Sequence, residues 1–121
     1  MNVLIVESDT ELAEVWQRHL ERRGASVSVA ASQEAAIEVL QAEEAVDVIV
    51  LDLLIEPGSA FAVADFASYR LPDAKVIFVT RTTFFSDGSI FRHIPNACAF
   101  VRAETPLDVL AALVEHYGVR H

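Results

Sequence analysis

The sequence predicts an α/β fold, with five parallel strands in one doubly wound sheet of order 2-1-3-4-5 and helices on both faces. Three observations lead to the parallel sheet, and its order is the common one for such folds. Five short apolar runs, Val3–Val6, Val27–Ala30, Val46–Leu51, Val76–Val79 and Ala97–Val101, punctuate the chain. Three of these runs are continuous Val, Ile, Leu and Phe rather than alternating with polar residues, as strands buried on both faces require. Helix-length segments lie between them, and such β-α alternation is satisfied by a parallel sheet with right-handed crossovers.

Taken in order, Val3–Val6 predicts the first strand, and a helix follows over about Thr10–Arg23. Leu12, Trp16 and Leu20 lie four apart on one face of that helix, and Gly24 stops it. Ser8 is read as its N-cap, with Glu11 as the capping-box partner three residues on. Val27–Ala30 is the second strand. Ser32 then caps a helix over about Gln33–Glu43 that buries Ala36, Val39 and Leu40. The third strand, Val46–Leu51, leads to a helix over about Ala60–Arg70. That helix is apolar nearly all round (Phe61, Val63, Ala64, Phe66, Ala67) and ends before Pro72. Val76–Val79 is the fourth strand, followed by a short, weak helix over about Ser89–Ile94. After the fifth strand, Ala97–Val101, the run Thr105-Pro106-Leu107-Asp108 reads as N-cap, N1 proline and an acidic residue three after the cap. Leu107, Leu110, Val114 and Tyr117 mark the buried stripe of the helix it opens.

At 121 residues and 13.3 kDa the expectation is a single domain over residues 1–121 with no output domain. The 53% hydrophobic and 22% charged composition, with four glycines, four prolines and one cysteine, excludes disordered, collagen-like and disulfide-framework classes. The net charge of −9 and pI near 4.7 lack the basic footprint of phosphate-backbone binding, so no nucleic acid partner is expected. No apolar stretch approaches a bilayer span, and Met1–Val6 lacks the positive flank of a secretory signal. The expectation is a cytoplasmic protein that does not engage membranes. Cys98, within Ala97–Val101, reads as a buried inert thiol. His19, His93, His116 and His121 show no metal-ligand spacing.

Open parallel sheets bind ligands beyond the carboxyl ends of their strands, where the strand order reverses. The first strand ends in Glu7-Ser8-Asp9, the third in Asp52, the fourth in Thr80-Arg81 and the fifth in Arg102-Ala103. In the order 2-1-3-4-5 the first and third strands are neighbours, so Glu7 and Asp52 meet at the switch point. Two carboxylates there repel unless a cation or proton lies between them. Oxygen donors without thiols or paired histidines favour Mg²⁺ over zinc.

On these residues the chain resembles the receiver domain of two-component response regulators, the CheY-like family with a flavodoxin-like (βα)5 fold. The resemblance rests on Leu4–Glu7, Val46–Asp52 and Val76–Thr80 closing their strands, with Pro57–Phe61 and Asn96–Phe100 in place. It implies a non-enzymatic signalling domain that at most phosphorylates itself. Asp52 would accept a phosphoryl group from a histidine kinase or histidine phosphotransfer protein. Glu7, Asp52 and the Leu54 backbone carbonyl would hold Mg²⁺, with Asp9 a weaker candidate. Thr80 would be the switch hydroxyl and Phe100 the switch aromatic that carries the change to a downstream protein target.

The chain departs from the family pattern inside the site. Ser8 stands where a second acid is usual, Ala103 where the lysine is usual, and Glu104 where a proline follows it. Arg81 replaces a small residue, and Ala60 replaces a glycine. Arg102 is one position early and faces the opposite side of its strand. A unit charge about 4 Å from another contributes on the order of 4 kcal/mol gross at an effective dielectric near 20, and Arg81 is positioned to supply it. Slow or weak phosphorylation is therefore expected. The alternative is a phosphorylation-independent pseudo-receiver acting as a protein-interaction module. A flavodoxin-like cofactor binder ranks third, since Gly24, Gly58, Gly88 and Gly118 form no phosphate-cradling loop. The aromatic residues of Phe84–Phe91 and of the Ala60–Arg70 helix suggest an interaction surface, with a homodimer as one candidate.

Overall fold

The computed structural model describes residues 1–43, 45–81 and 94–119. The elements run β1 (Asn2–Val6), α1 (Thr10–Arg22), β2 (Ser26–Ala30), α2 (Gln33–Ala42), β3 (Val48–Asp52), α3 (Ala60–Arg70), β4 (Lys75–Thr80), β5 (Ala97–Arg102) and α4 (Leu107–Gly118). The five strands form one parallel sheet in the order β2-β1-β3-β4-β5, as the sequence predicts. The fourth helix expected over Ser89–Ile94 and the apolar Phe84–Phe91 segment lie outside the described residues, apart from Ile94, which is not helical.

Strand geometry sends successive side chains to opposite faces, and the sheet uses that parity strictly. Leu4 and Val6 of β1, Ile49 and Leu51 of β3, and Val76 and Phe78 of β4 pack with Ala36 and Leu40 of α2 and with Val63, Ala64 and Ala67 of α3. Val3 and Ile5, Val48 and Val50, and Ile77 and Val79 pack on the other face with Ala13, Trp16 and Leu20 of α1 and Leu110, Ala111 and Val114 of α4. The three inner strands are buried almost throughout, which is why their sequence reads as unbroken apolar runs.

Helix starts follow capping chemistry, with two corrections. The Ser32 hydroxyl accepts the Ala35 N–H at the start of α2, as expected. Ser8, however, does not cap α1. The cap is Asp9, whose Oδ1 accepts the N–H groups of Glu11 at 3.1 Å and Leu12 at 3.2 Å. Asp and Ser are equally good caps, so the two adjacent candidates are indistinguishable by residue type. At α4 the cap position belongs to Pro106 rather than Thr105, with no side-chain cap, and the Pro106 carbonyl accepts the Leu110 N–H at 3.1 Å. Gly24 follows α1 with φ +95°, as its role as a stop demands.

Cys98 is half-buried on the edge strand β5, and its thiol donates to the Val76 carbonyl at 3.4 Å. Burial pushes that thiol up to about 11. Among the described residues no helix is long and apolar enough to cross a membrane.

Candidate functional site

Parity explains which side chains meet at the carboxyl end of the sheet. Glu7 continues the series Val3, Ile5; Asp52 continues Val48, Val50; Arg81 continues Ile77, Val79. All three therefore project on the α1/α4 side of the sheet. Thr80 and Arg102 follow the opposite parity, that of Phe78 and Phe100. Glu7, Asp52 and Thr80 are each 1% exposed, so the site's acids are held out of water.

Backbone bonds hold each acid at its strand end. The Glu7 N–H donates to the Ala30 carbonyl at 3.0 Å, extending the β1–β2 ladder by one residue. Beyond Asp52, the Leu53 N–H donates to the Val79 carbonyl at 2.9 Å, and the Leu54 N–H turns back to Asp52 Oδ1 at 2.8 Å. The Asp52 carboxylate is thus fixed by its own turn.

Arg81 lies in the midst of the acids. Its Nη2 donates to Glu7 Oε1 at 2.8 Å and lies 3.6 Å from Asp9 Oδ2, while Nε is 3.6 Å from Asp52 Oδ2. Glu7 Oε1 also accepts the Asp9 N–H at 3.0 Å, whereas Oε2 is buried without a hydrogen-bond donor. Burial raises the Glu7 carboxyl to about 8, reinforced by hydrogen bonding to Asp52 and by its charge; the Asp9 N–H and Arg81 pull the other way and lose.

The other residues singled out in the sequence fall around this centre. Asp9 spends Oδ1 on the α1 cap and turns Oδ2 to Arg81. Arg102 pairs with Glu104 at 2.6 Å. The Ala103 N–H donates to the Thr80 carbonyl at 2.7 Å. Phe100 is half-buried against the α2/α3-side core, in register with Phe78.

Sequence reasoning missed the role of Ser8. Its hydroxyl accepts the Glu56 N–H at 2.8 Å and lies 3.2 Å from both the Ala31 and the Glu56 carbonyls. It joins the loops after β1, β2 and β3. It also missed Gln33, whose Oε1 accepts the Ser59 N–H at 2.7 Å and braces α3 against α2. Neither bond has a local sequence signal, since the partners lie 48 and 26 residues away.

Among the described residues no group of three or more His, Cys, Asp or Glu side chains is arranged to hold a metal. The pocket offers two buried carboxylates, Glu7 and Asp52, and the turn at Leu54. Mg²⁺ commonly takes only one or two protein carboxylates, and the donor-less Glu7 Oε2 is a hard oxygen suited to it, so the residues fit a two-carboxylate site.

A family model described as the response regulator receiver domain matches residues 3–87. The chain belongs to that family. Receivers act in phosphorelay signalling of two-component systems and are in general signalling modules rather than enzymes. The match spans Glu7, Asp52, Thr80 and Arg81 and stops before Phe100 and Ala103. No protein of curated function matches the sequence. Among solved structures the fold is similar to a CheY-like receiver from Methanospirillum hungatei, with TM-score 0.87 and 20% identity over 97% of this chain and 92% of that one. The non-phosphorylated HemR receiver domain from Leptospira biflexa aligns with TM-score 0.85 and 24% identity, covering 99% and 95%. The response regulator TrrA from Thermotoga maritima, solved in complex with Mg²⁺-BeF, aligns with TM-score 0.81 and 23% identity, covering 96% and 97%. At these identities the likeness is one of fold.

Proposed function

We propose that this receiver accepts a phosphoryl group on Asp52 and signals by protein contact. The observation that carries the reading is Asp52 itself: a buried carboxylate at the topological switch point, oriented by the Leu54 N–H, with a cation and a second acid beside it. In the transfer, the P–N bond of a phosphohistidine donor breaks as a P–O bond forms to a carboxylate oxygen of Asp52. The donor imidazole, protonated on its other nitrogen, leaves neutral.

Glu7, Asp52 and the Leu54 carbonyl would hold Mg²⁺, whose charge offsets that of the phosphoryl oxygens. Arg81 serves as the substitute cation for the lysine that Ala103 replaces. Thr80 is the switch hydroxyl, and Phe100 is the aromatic whose rotamer carries the change to a downstream target. The donor is a histidine kinase or a phosphotransfer protein.

The second reading, a pseudo-receiver that works without phosphorylation, is favoured by one observation: a guanidinium already lies against the acids. Intact mass after incubation with acetyl phosphate and Mg²⁺, beside Asp52→Asn, separates the two. A phosphoryl adduct on the parent protein that the variant lacks is the expected result. Its absence from folded protein with ample donor would assign the pseudo-receiver.

A further inference from the structure

Resting on the receiver reading of this pocket, we propose that Arg81 is a built-in competitor for its divalent cation: guanidinium and metal occupy the same carboxylates in turn. Three carboxylates converge on this one side chain, Glu7 at 2.8 Å and Asp9 and Asp52 at 3.6 Å. Two of them, Glu7 and Asp52, are buried, where an uncompensated charge is costly. Arginine stays charged at every working pH, so the compensation is permanent while it is in place.

A Mg²⁺ ion needs oxygens of this same set at about 2.0–2.1 Å in near-octahedral array. It would stand within a few ångströms of the guanidinium and be repelled by it. The buried Glu7 Oε2, which no donor reaches, is the oxygen the arginine leaves unused and the natural point of entry for the ion. Arg81 can yield. Its side chain is 42% exposed on a long flexible stem, so withdrawal into water is open to it. At low Mg²⁺ the guanidinium offsets part of the acids' charge, and metal binding frees the arginine's charge at the pocket mouth.

Competition of this kind is a coupling between two ligands and is reciprocal. It is tested by titrating Mg²⁺ into ¹⁵N-labelled protein, without any phosphoryl donor, and following the amide signals of Asp9 and Leu54 and the Arg81 Nε–H signal. Arg81→Ala is expected to reach half-saturation at about tenfold lower Mg²⁺ than the parent, with Arg81→Lys between them. Arg102→Ala, which removes an equal charge paired to Glu104, should leave the midpoint unchanged. In the parent, Mg²⁺ should move the Arg81 Nε–H signal toward its solvent-exposed position. An equal or higher midpoint in Arg81→Ala overturns the proposal, and so does a failure of Mg²⁺ to bind either protein. Neither result depends on phosphorylation, so a missing acetyl phosphate adduct would strike the receiver reading alone.

Discussion

At Glu7 two N–H groups converge on one carboxyl oxygen and none reaches the other. That asymmetry gives the metal-free protein a pH dependence whose sign can be worked out. The folded-state value, about 8, lies above the ordinary 4.5. Between the two the folded protein keeps a proton that the unfolded chain has released. The stability this group contributes is complete below pH 4.5 and is lost as the pH rises through 8. Urea unfolding with chelator present should therefore show stability falling from pH 5 to pH 8.5 more steeply in the parent than in Glu7→Gln. One proton sets the difference in slope at up to about 1.4 kcal/mol per pH unit. Parallel slopes would mean that Glu7 is ionised throughout. The acids themselves were legible in the sequence because both end apolar runs. That Arg81 reaches them was legible too, once parity is counted along β4. The Ser8 bonds were not, because a hydroxyl accepts partners from any direction and its partners are set by tertiary proximity.

At the scale of the elements, the loop between β3 and α3 carries the tightest constraint. Gly58 has φ +122°, and a Cβ there would stand 2.3 Å from Gln33 Cβ. Gly24 has a similar backbone, φ +95°, but open space where its Cβ would be. The pair separates the cost of conformation from the cost of collision. Gly24→Ala should lose about 1–2 kcal/mol in equilibrium unfolding, the usual penalty for an L side chain in this region. Gly58→Ala should lose clearly more and disturb α2 as well, and equal losses would show that Gln33 simply moves aside. Helix α3 was readable from its apolar run and from Pro72 beyond it, and the structure adds Ser59 as its cap. The cap of α1 and the start of α4 were misread by one residue. At α1 two good caps stand side by side; at α4 the Pro106 carbonyl begins the helix without help from a side chain.

For the whole molecule, the decisive feature is that β1, β3 and β4 supply residues to both cores. Neither layer can come apart without stripping the strands that the other is built on. Trp16, the one tryptophan, is buried in the α1/α4-side core and senses that layer alone. Its fluorescence and far-UV circular dichroism should nevertheless give coincident unfolding curves, as a two-state domain requires. Separated midpoints would show the layers failing independently. The parallel sheet was open to prediction from β-α alternation and the handedness of crossovers, and its order is the common one for such folds. The route from strand order to a working site was not, because it depends on long-range bonds between loops. Ser8 is the clearest of these. A hydroxyl has one proton to give, and here two carbonyls, those of Ala31 and Glu56, lie equally far from it while the Glu56 N–H leans on its oxygen. A carboxylate in its place could take the N–H but serve neither carbonyl. The exchange of acid for alcohol thus makes the mouth of the pocket a single hinged rim: whatever pries one loop outward has to unlatch its two neighbours with it.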